Sequence, residues 1–327
     1  MMLQLDICSD SVCDEYIAKI LPGLIQRIQK GWKCNGTPYE LAANAKSILL
    51  PGWNTGRPDD SILKSLLKDE PREHIKLHEE IFAKFNKLPK KSVPSKKMME
   101  KIFDYDGVFS RKGKDIAYWL ARITGRNTCT YCNRQYIFTI EKAQKGGRTQ
   151  KIARPVFDHW FSKSKYPLLS LNLYNLIPSC TICNSFVKGN MVLELDKHIH
   201  PYVKDPQASA FKFLAKPKPL VTSEWELKID CEPGSKIDNT IKALELETIY
   251  SMHAPLEVKD IMDFNDAYPE GYVNSLLDDL LNKNSSRLSR TDVYRILFGV
   301  EAHSDKFLDR PLSKLKHDLL EQIGLEL

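Results

Sequence analysis

Cys129-Thr-Tyr-Cys132 and Cys180-Thr-Ile-Cys183 are two pairs of thiols, each spaced to grip a metal ion from one side. Four such sulfurs suit a tetrahedral structural zinc. Between the pairs stand Asp158-His159 and Asn175, and Asn184 directly follows the last cysteine. Asp158 and Asn184 offer a carboxylate and a carboxamide, the oxygen donors that a hard cation such as Mg²⁺ or Mn²⁺ takes. His159 supplies an imidazole, the natural base near neutral pH. Asn175 can donate and accept at once, which suits it to tie a loop to nearby strands and so fix the histidine. Lys188, one helical turn beyond Asn184, can bring positive charge to the same side. These groups meet the needs of phosphodiester hydrolysis: a base for water, and a cation for charge building on phosphate oxygens.

The chain must bring these residues together across a long gap. The segment from Asn133 to Ser179 far exceeds the roughly 15–20 residues common between zinc knuckles, so the insert must have structure of its own. β-branched and aromatic residues predict a strand over 136–140, and residues 155–159 read as the returning strand that ends in Asp158-His159. A polar, basic connection over 141–154 turns at Gly146-Gly147. Residues 167–175 form a short helical or looped return, and 181–188 a short helix. The order is β-β-α.

Flanking this module, apolar spacing predicts helices over 14–29, with a break or kink at Pro22, and over 73–85. A further helix carries Ile62, Leu63, Leu66 and Leu67 on one face, with Asp60 as its cap. The lysine-rich run 87–97 reads as a solvated hinge, followed by one or two helices over 98–124. Beyond residue 202, short strands lie around 211–213 and 225–229. Helices follow over 239–252, 272–281 and 291–298, and a terminal one runs through 323. The expected fold is α+β and mainly α-helical, with a central zinc-stapled module flanked by helical regions. Its domains are an N-terminal helical region (1–110), the zinc-bearing module (111–200) and a mainly helical C-terminal region with a few strands (201–327).

Composition narrows the classes. The first fourteen residues carry Asp6, Asp10 and Asp14 and no base, unlike a secretory signal, so a cytoplasmic location is expected. In a reducing compartment the eight cysteines point to metal rather than disulfides. Cys8, Cys13, Cys34 and Cys231 then read as plain thiols. No apolar run approaches the ~18 residues of a membrane helix. The net charge of +6 suits a polyanionic partner without demanding one.

In order along the chain, Cys-x-x-Cys, Asp-His and Asn-Leu-x-Pro-x-Cys-x-x-Cys-Asn resemble the zinc-stapled branch of the HNH nucleases, the ββα-metal fold, over residues 129–190. The resemblance implies that His159 is the general base, Asn175 the structural middle residue, and Asn184 the final signature residue. It also implies that Asp158 and Asn184 hold a catalytic Mg²⁺ or Mn²⁺, while Cys129, Cys132, Cys180 and Cys183 hold a separate zinc. The long connection over 141–154 departs from the common pattern. Cys-Thr-Tyr-Cys-Asn-Arg, Phe-Asp-His-Trp-Phe-Ser-Lys-Ser-Lys-Tyr-Pro and Ser-Leu-Asn-Leu-Tyr-Asn-Leu-Ile-Pro-Ser-Cys are similar to HNH subunits of Septu-type bacterial anti-phage systems. That narrower likeness implies antiviral defence, a nucleic-acid substrate (DNA foremost) and an ABC/SMC-type ATPase partner docking on the helical flanks. The rival expectation is a non-catalytic zinc ribbon that binds nucleic acid or protein.

Overall fold

An apolar stripe organises the N-terminal helices. The computed structural model describes residues 4–34, 36–109, 115–147, 149–219, 221–267, 275 and 289–325. Helix α1 (Asp10–Lys30) buries Tyr16, Ile17, Ile20, Leu21, Leu24 and Ile28. It runs unbroken through Pro22. Tertiary bonds hold it on both sides of the proline: Tyr16 donates to the Leu171 carbonyl and Arg27 to that of Ile102. Helices α2 (Ala43–Leu49), α3 (Ser61–Lys68), α4 (Pro71–Asn86) and α5 (Lys96–Ile102) complete this layer. At the start of α3 Asp60 is the N-cap residue as expected, but its side chain makes no capping bond. Asp59, not Asp60, accepts from the Ser61 N–H, while Asp60 pairs with Lys64 one turn on. Within the lysine-rich run Ser95 caps α5 by accepting from the Met98 N–H, so the helix begins inside the expected hinge.

Helices α6 (Tyr105–Phe109) and α7 (Ile116–Thr124) lead towards the first cysteine pair. Gly125, at φ +56°, closes α7 in the left-handed conformation that suits glycine at a helix end. The expected boundary at 110/111 lies outside the described residues.

The described strands form four antiparallel two-stranded ribbons. They are β1 (Trp32–Cys34) with β2 (Thr37–Tyr39), and β3 (Ile140–Ala143) with β4 (Thr149–Ala153). The others are β5 (Val156–His159) with β6 (Leu176–Ser179), and β7 (Phe211–Lys218) with β8 (Val221–Cys231). Two corrections follow. The stretch 136–139 is not a strand; it makes one isolated bridge, Thr128 to Tyr136, and the strand starts only at Ile140. The basic stretch 141–154 is not a plain connection, because most of it folds on itself as the β3–β4 hairpin, turning at Gly146 and Gly147 as expected. The strand bearing Asp158 and His159 pairs instead with Leu176–Ser179, in the register Asp158 to Ile177 and His159 to Leu176.

Further along, the helix expected over 239–252 is split into α8 (Lys236–Ala243) and α9 (Leu246–Ser251), with Glu245 at φ +49° between them. Helices α10 (Lys259–Ala267), α11 (Arg290–Phe298) and α12 (Ser313–Gln322) follow. The helix expected over 272–281 lies outside the described residues. Helix α12 seats on β7, where Asp318 accepts from the Phe213 N–H and Lys314 donates to the Phe211 carbonyl. One buried apolar core runs from Leu5 to Leu320 through all three expected regions. No described helix is long and apolar enough to cross a membrane.

Three histidines, His74, His78 and His200, are buried among Trp160, Phe161, Phe82 and Tyr166. Burial holds His74 and His78 down at about 4 and His200 well below its ordinary value. Between pH 4 and 6.5 the unfolded chain therefore binds protons at these sites and the folded chain does not. Stability is expected to fall on acidification through that window, by roughly 1.4 kcal/mol per pH unit for each histidine. Urea unfolding at pH 7, 6 and 5.5, with zinc content followed, checks this. His78→Phe is expected to flatten the slope by about one proton.

Candidate active site and metal centre

Cys129, Cys132, Cys180 and Cys183 are all buried, and their Sγ atoms lie within 4.8 Å of one another. Zinc–sulfur bonds of about 2.3 Å in a tetrahedron place sulfurs about 3.8 Å apart, so small adjustments complete such a site. The cluster can hold a metal ion such as zinc. Burial raises the Cys129 thiol and thiol neighbours raise Cys183, while thiol hydrogen bonds lower Cys180 and Cys132. Anions this close need a shared cation.

Local bonds fix the knuckles. Both the N–H and the Oγ1 of Thr130 donate to the Pro178 carbonyl, at 3.3 and 2.7 Å. The Cys183 N–H points at the Cys180 Sγ, 3.4 Å away. Asn133, at φ +46°, donates to the Phe307 and Arg310 carbonyls and its own carbonyl accepts from Leu312, anchoring the C-terminal region. Tyr250 donates to the Cys132 carbonyl.

The metal cluster thereby holds β6 and the helical turn that follows it. This turn, Ile182–Lys188, is a wide π-type turn, closed by the Gly189 N–H on the Asn184 carbonyl. Strand β5 pairs with β6, so its terminal residues Asp158 and His159 are carried beside the turn.

His159 is 9% exposed and sits edge-on to Tyr105. Its Nε2 lies 2.9 Å from the Ser170 carbonyl. A carbonyl only accepts, so Nε2 carries the proton and Nδ1 keeps its lone pair. Burial, helped by the charges of Lys163 and Lys188, lowers its pKa to about 4, against the opposing Ser170 bond. The ring is thus a neutral base at physiological pH.

Asn175 ties the return loop as expected. Its Oδ1 accepts from the Phe161 N–H at 2.7 Å, and its Nδ2 donates to the carbonyls of Phe161 and Leu169. Its backbone carbonyl accepts from Trp160. It touches the residues just beyond His159 and holds the strand end in place.

Asp158 is 2% exposed and well partnered. Its Oδ2 accepts from the Tyr131 hydroxyl at 2.7 Å, and the Lys188 ammonium lies 3.2–3.3 Å from its two oxygens. Burial raises its pKa, opposed by Lys188 and Tyr131. Lys188 corrects an expectation: it does not reach out to a substrate but is itself buried, bonding also to the His159 carbonyl at 2.7 Å. The wide turn directs this side chain inwards, which spacing alone does not reveal.

Asp158, His159 and Asn184 all line one cavity of about 440 Å³. Asn184 bonds through Nδ2 to Ser185, and among the described residues its Oδ1 has no protein partner. A carboxylate has roughly four lone-pair positions. Tyr131 and Lys188 use part of that capacity, so Asp158 and Asn184 offer a sparse donor set that fits a divalent ion only with water or substrate oxygens completing it. Arg154 and Lys163 also line the cavity, opposite in charge to Asp106. Sequence reasoning missed these residues along with Tyr131, Tyr105 and Ser170. Lys163, Tyr131 and Ser170 lie within the quoted motifs and so carried some signal; Arg154, Asp106 and Tyr105 carried none.

Comparison with models of protein families, with curated proteins and with solved structures gives no match for this chain.

Proposed function

We propose that this chain is a metal-dependent nuclease of the HNH type, with β5, β6 and the following helical turn as its ββα-metal module. The observation that carries the reading is the convergence of His159, with its base nitrogen Nδ1 unprotonated, and of Asp158 and Asn184 on one cavity beside the cysteine cluster. Zinc at the four cysteines staples the module. Asp158 and Asn184 would hold Mg²⁺ or Mn²⁺, which supplies positive charge against that building on phosphate oxygens. His159 Nδ1 takes the proton from the attacking water. Asn175 and the Ser170 carbonyl keep the ring in register. Lys188 offsets the buried charge of Asp158, and Arg154 and Lys163 draw the phosphate backbone to the mouth. DNA is the foremost substrate, and an ABC/SMC-type ATPase in an anti-phage system is the proposed partner.

The contacts of Asp158 with Lys188 and Tyr131 favour a second reading, a zinc ribbon that binds without cutting, in which that carboxylate is structural. Titrating Mg²⁺ or Mn²⁺ against purified protein on plasmid and single-stranded DNA separates the two, alone and with an ABC-type ATPase. Cleavage that needs the ion is expected. Binding without ion-dependent cleavage in either setting, unaffected by Asp158→Asn, makes it the ribbon.

A further inference from the structure

The β3–β4 hairpin has two unlike faces. On one, Glu141 pairs with Arg122 at 2.6 Å, and Lys151 with Asp115 at 2.5 Å while lying over the Tyr118 ring. Those contacts fasten the hairpin to α7. The other face carries Lys142, paired in register with Gln150, and is open to solvent. Lys142 and Lys145 are exposed and, among the described residues, have no ion-pair partner.

The segment entering the hairpin is equally unusual. Tyr136, Phe138 and Ile140 are 50%, 43% and 43% exposed, whereas Ile137 between them is buried. The Tyr136 and Phe138 rings stack on each other, with centroids 4.4 Å apart. Large apolar side chains side by side in water mark an interaction surface. At its other end the hairpin runs through Arg154, which lines the cavity, straight into the strand that carries Asp158 and His159. The surface and the cavity are therefore continuous along the chain.

We propose that this hairpin and its aromatic lead-in form the contact surface for an unpaired strand of nucleic acid passing to the cavity, an inference that rests on the nuclease reading. Stacked aromatic rings with free faces take unpaired bases, and lysines beside them follow the phosphates. A duplex hides its base faces and offers the rings little. An apolar protein partner would suit Tyr136 and Phe138 but not the lysine face that follows them in the chain. Edge lysines also discourage strand-to-strand aggregation, but that role requires neither stacked rings nor an arginine leading into a cavity.

The test uses His159→Ala protein, so that binding is read without cutting, with a labelled single-stranded oligonucleotide and its matching duplex. Tyr136→Ala/Phe138→Ala is expected to weaken single-strand binding about tenfold or more, as loss of base stacking does, and to change duplex binding little. Lys142→Glu/Lys145→Glu is expected to weaken both and to flatten the salt dependence. Tyr136→Trp retains single-strand binding and controls for the fold, as does an unchanged zinc content. An aromatic double variant that binds the single strand like its parent overturns the proposal, as does a parent that binds neither probe or prefers the duplex. Ion-dependent cutting by the otherwise wild-type protein alongside such a result leaves the nuclease reading standing. Loss of strand binding in a protein that never cuts does the reverse.

Discussion

His159→Ala is expected to lower cleavage by roughly 10²–10⁴-fold, the usual cost of a missing general base, with zinc content unchanged. The size follows from the geometry. The Ser170 carbonyl commits Nε2 to donating, so Nδ1 is the ring's one basic atom, and burial keeps it unprotonated at neutral pH. Among the described residues lining the cavity no second imidazole can take over. The alternatives are Asp158, bound to Lys188 and Tyr131, and Asp106. Structural damage is expected to be modest, since truncation leaves one buried carbonyl without its donor and removes the edge contact with Tyr105, about 1–3 kcal/mol in all. Single-turnover cleavage at saturating Mg²⁺, read beside a melting curve, gives the answer. A variant that melts like its parent and cuts as fast removes His159 from the chemistry.

The grouping of the candidate residues was more legible in the sequence than the pairing of the strands. Both cysteine pairs converge, and Asp158, His159 and Asn184 meet at one cavity, because close spacing in the chain and shared neighbours carry that information. Strand partners are a long-range choice, and here local propensity misled. Residues 136–140 have the composition of a strand, yet Tyr136 and Phe138 stay exposed and Ile137 alone packs inwards. The true partner, Leu176–Ser179, is fully buried and contains Pro178, a residue that argues against a strand. It is tolerated because the ribbon has only two strands, and the Pro178 carbonyl accepts from Thr130. Lys188 shows the same limit at shorter range. Its position one turn from Asn184 was readable, but the wide turn that aims it at Asp158 was not. Asp60 holds the N-cap position of α3 as expected, but the Ser61 N–H goes to the adjacent carboxylate of Asp59, a choice between neighbours that residue type does not reveal.

Cys132→Ser and Cys180→Ser are each expected to lose bound zinc and, with it, the folded site. A serine hydroxyl does not ionise near neutral pH, so three thiolates remain where four close a tetrahedron. The consequence spreads because each knuckle carries more than a ligand. Cys180 directly follows β6, the partner of the strand bearing His159, and its Sγ accepts from the Cys183 N–H at the start of the helical turn. Cys132 precedes Asn133, which anchors the C-terminal region through Phe307, Arg310 and Leu312. Without an ion, burial raises the Cys129 thiol and its thiol neighbours raise Cys183, so the cluster lacks the cation that would hold all four as thiolates. Free energy of zinc binding is largely folding free energy in such modules, so chelation of the wild-type protein should mimic either variant. The measurement is zinc stoichiometry by elemental analysis together with a thermal melt. Cys8→Ser and Cys34→Ser, outside the cluster, serve as controls expected to keep full zinc. A Cys132→Ser or Cys180→Ser protein that holds no zinc yet melts like its parent shows that metal is not what joins the two knuckles.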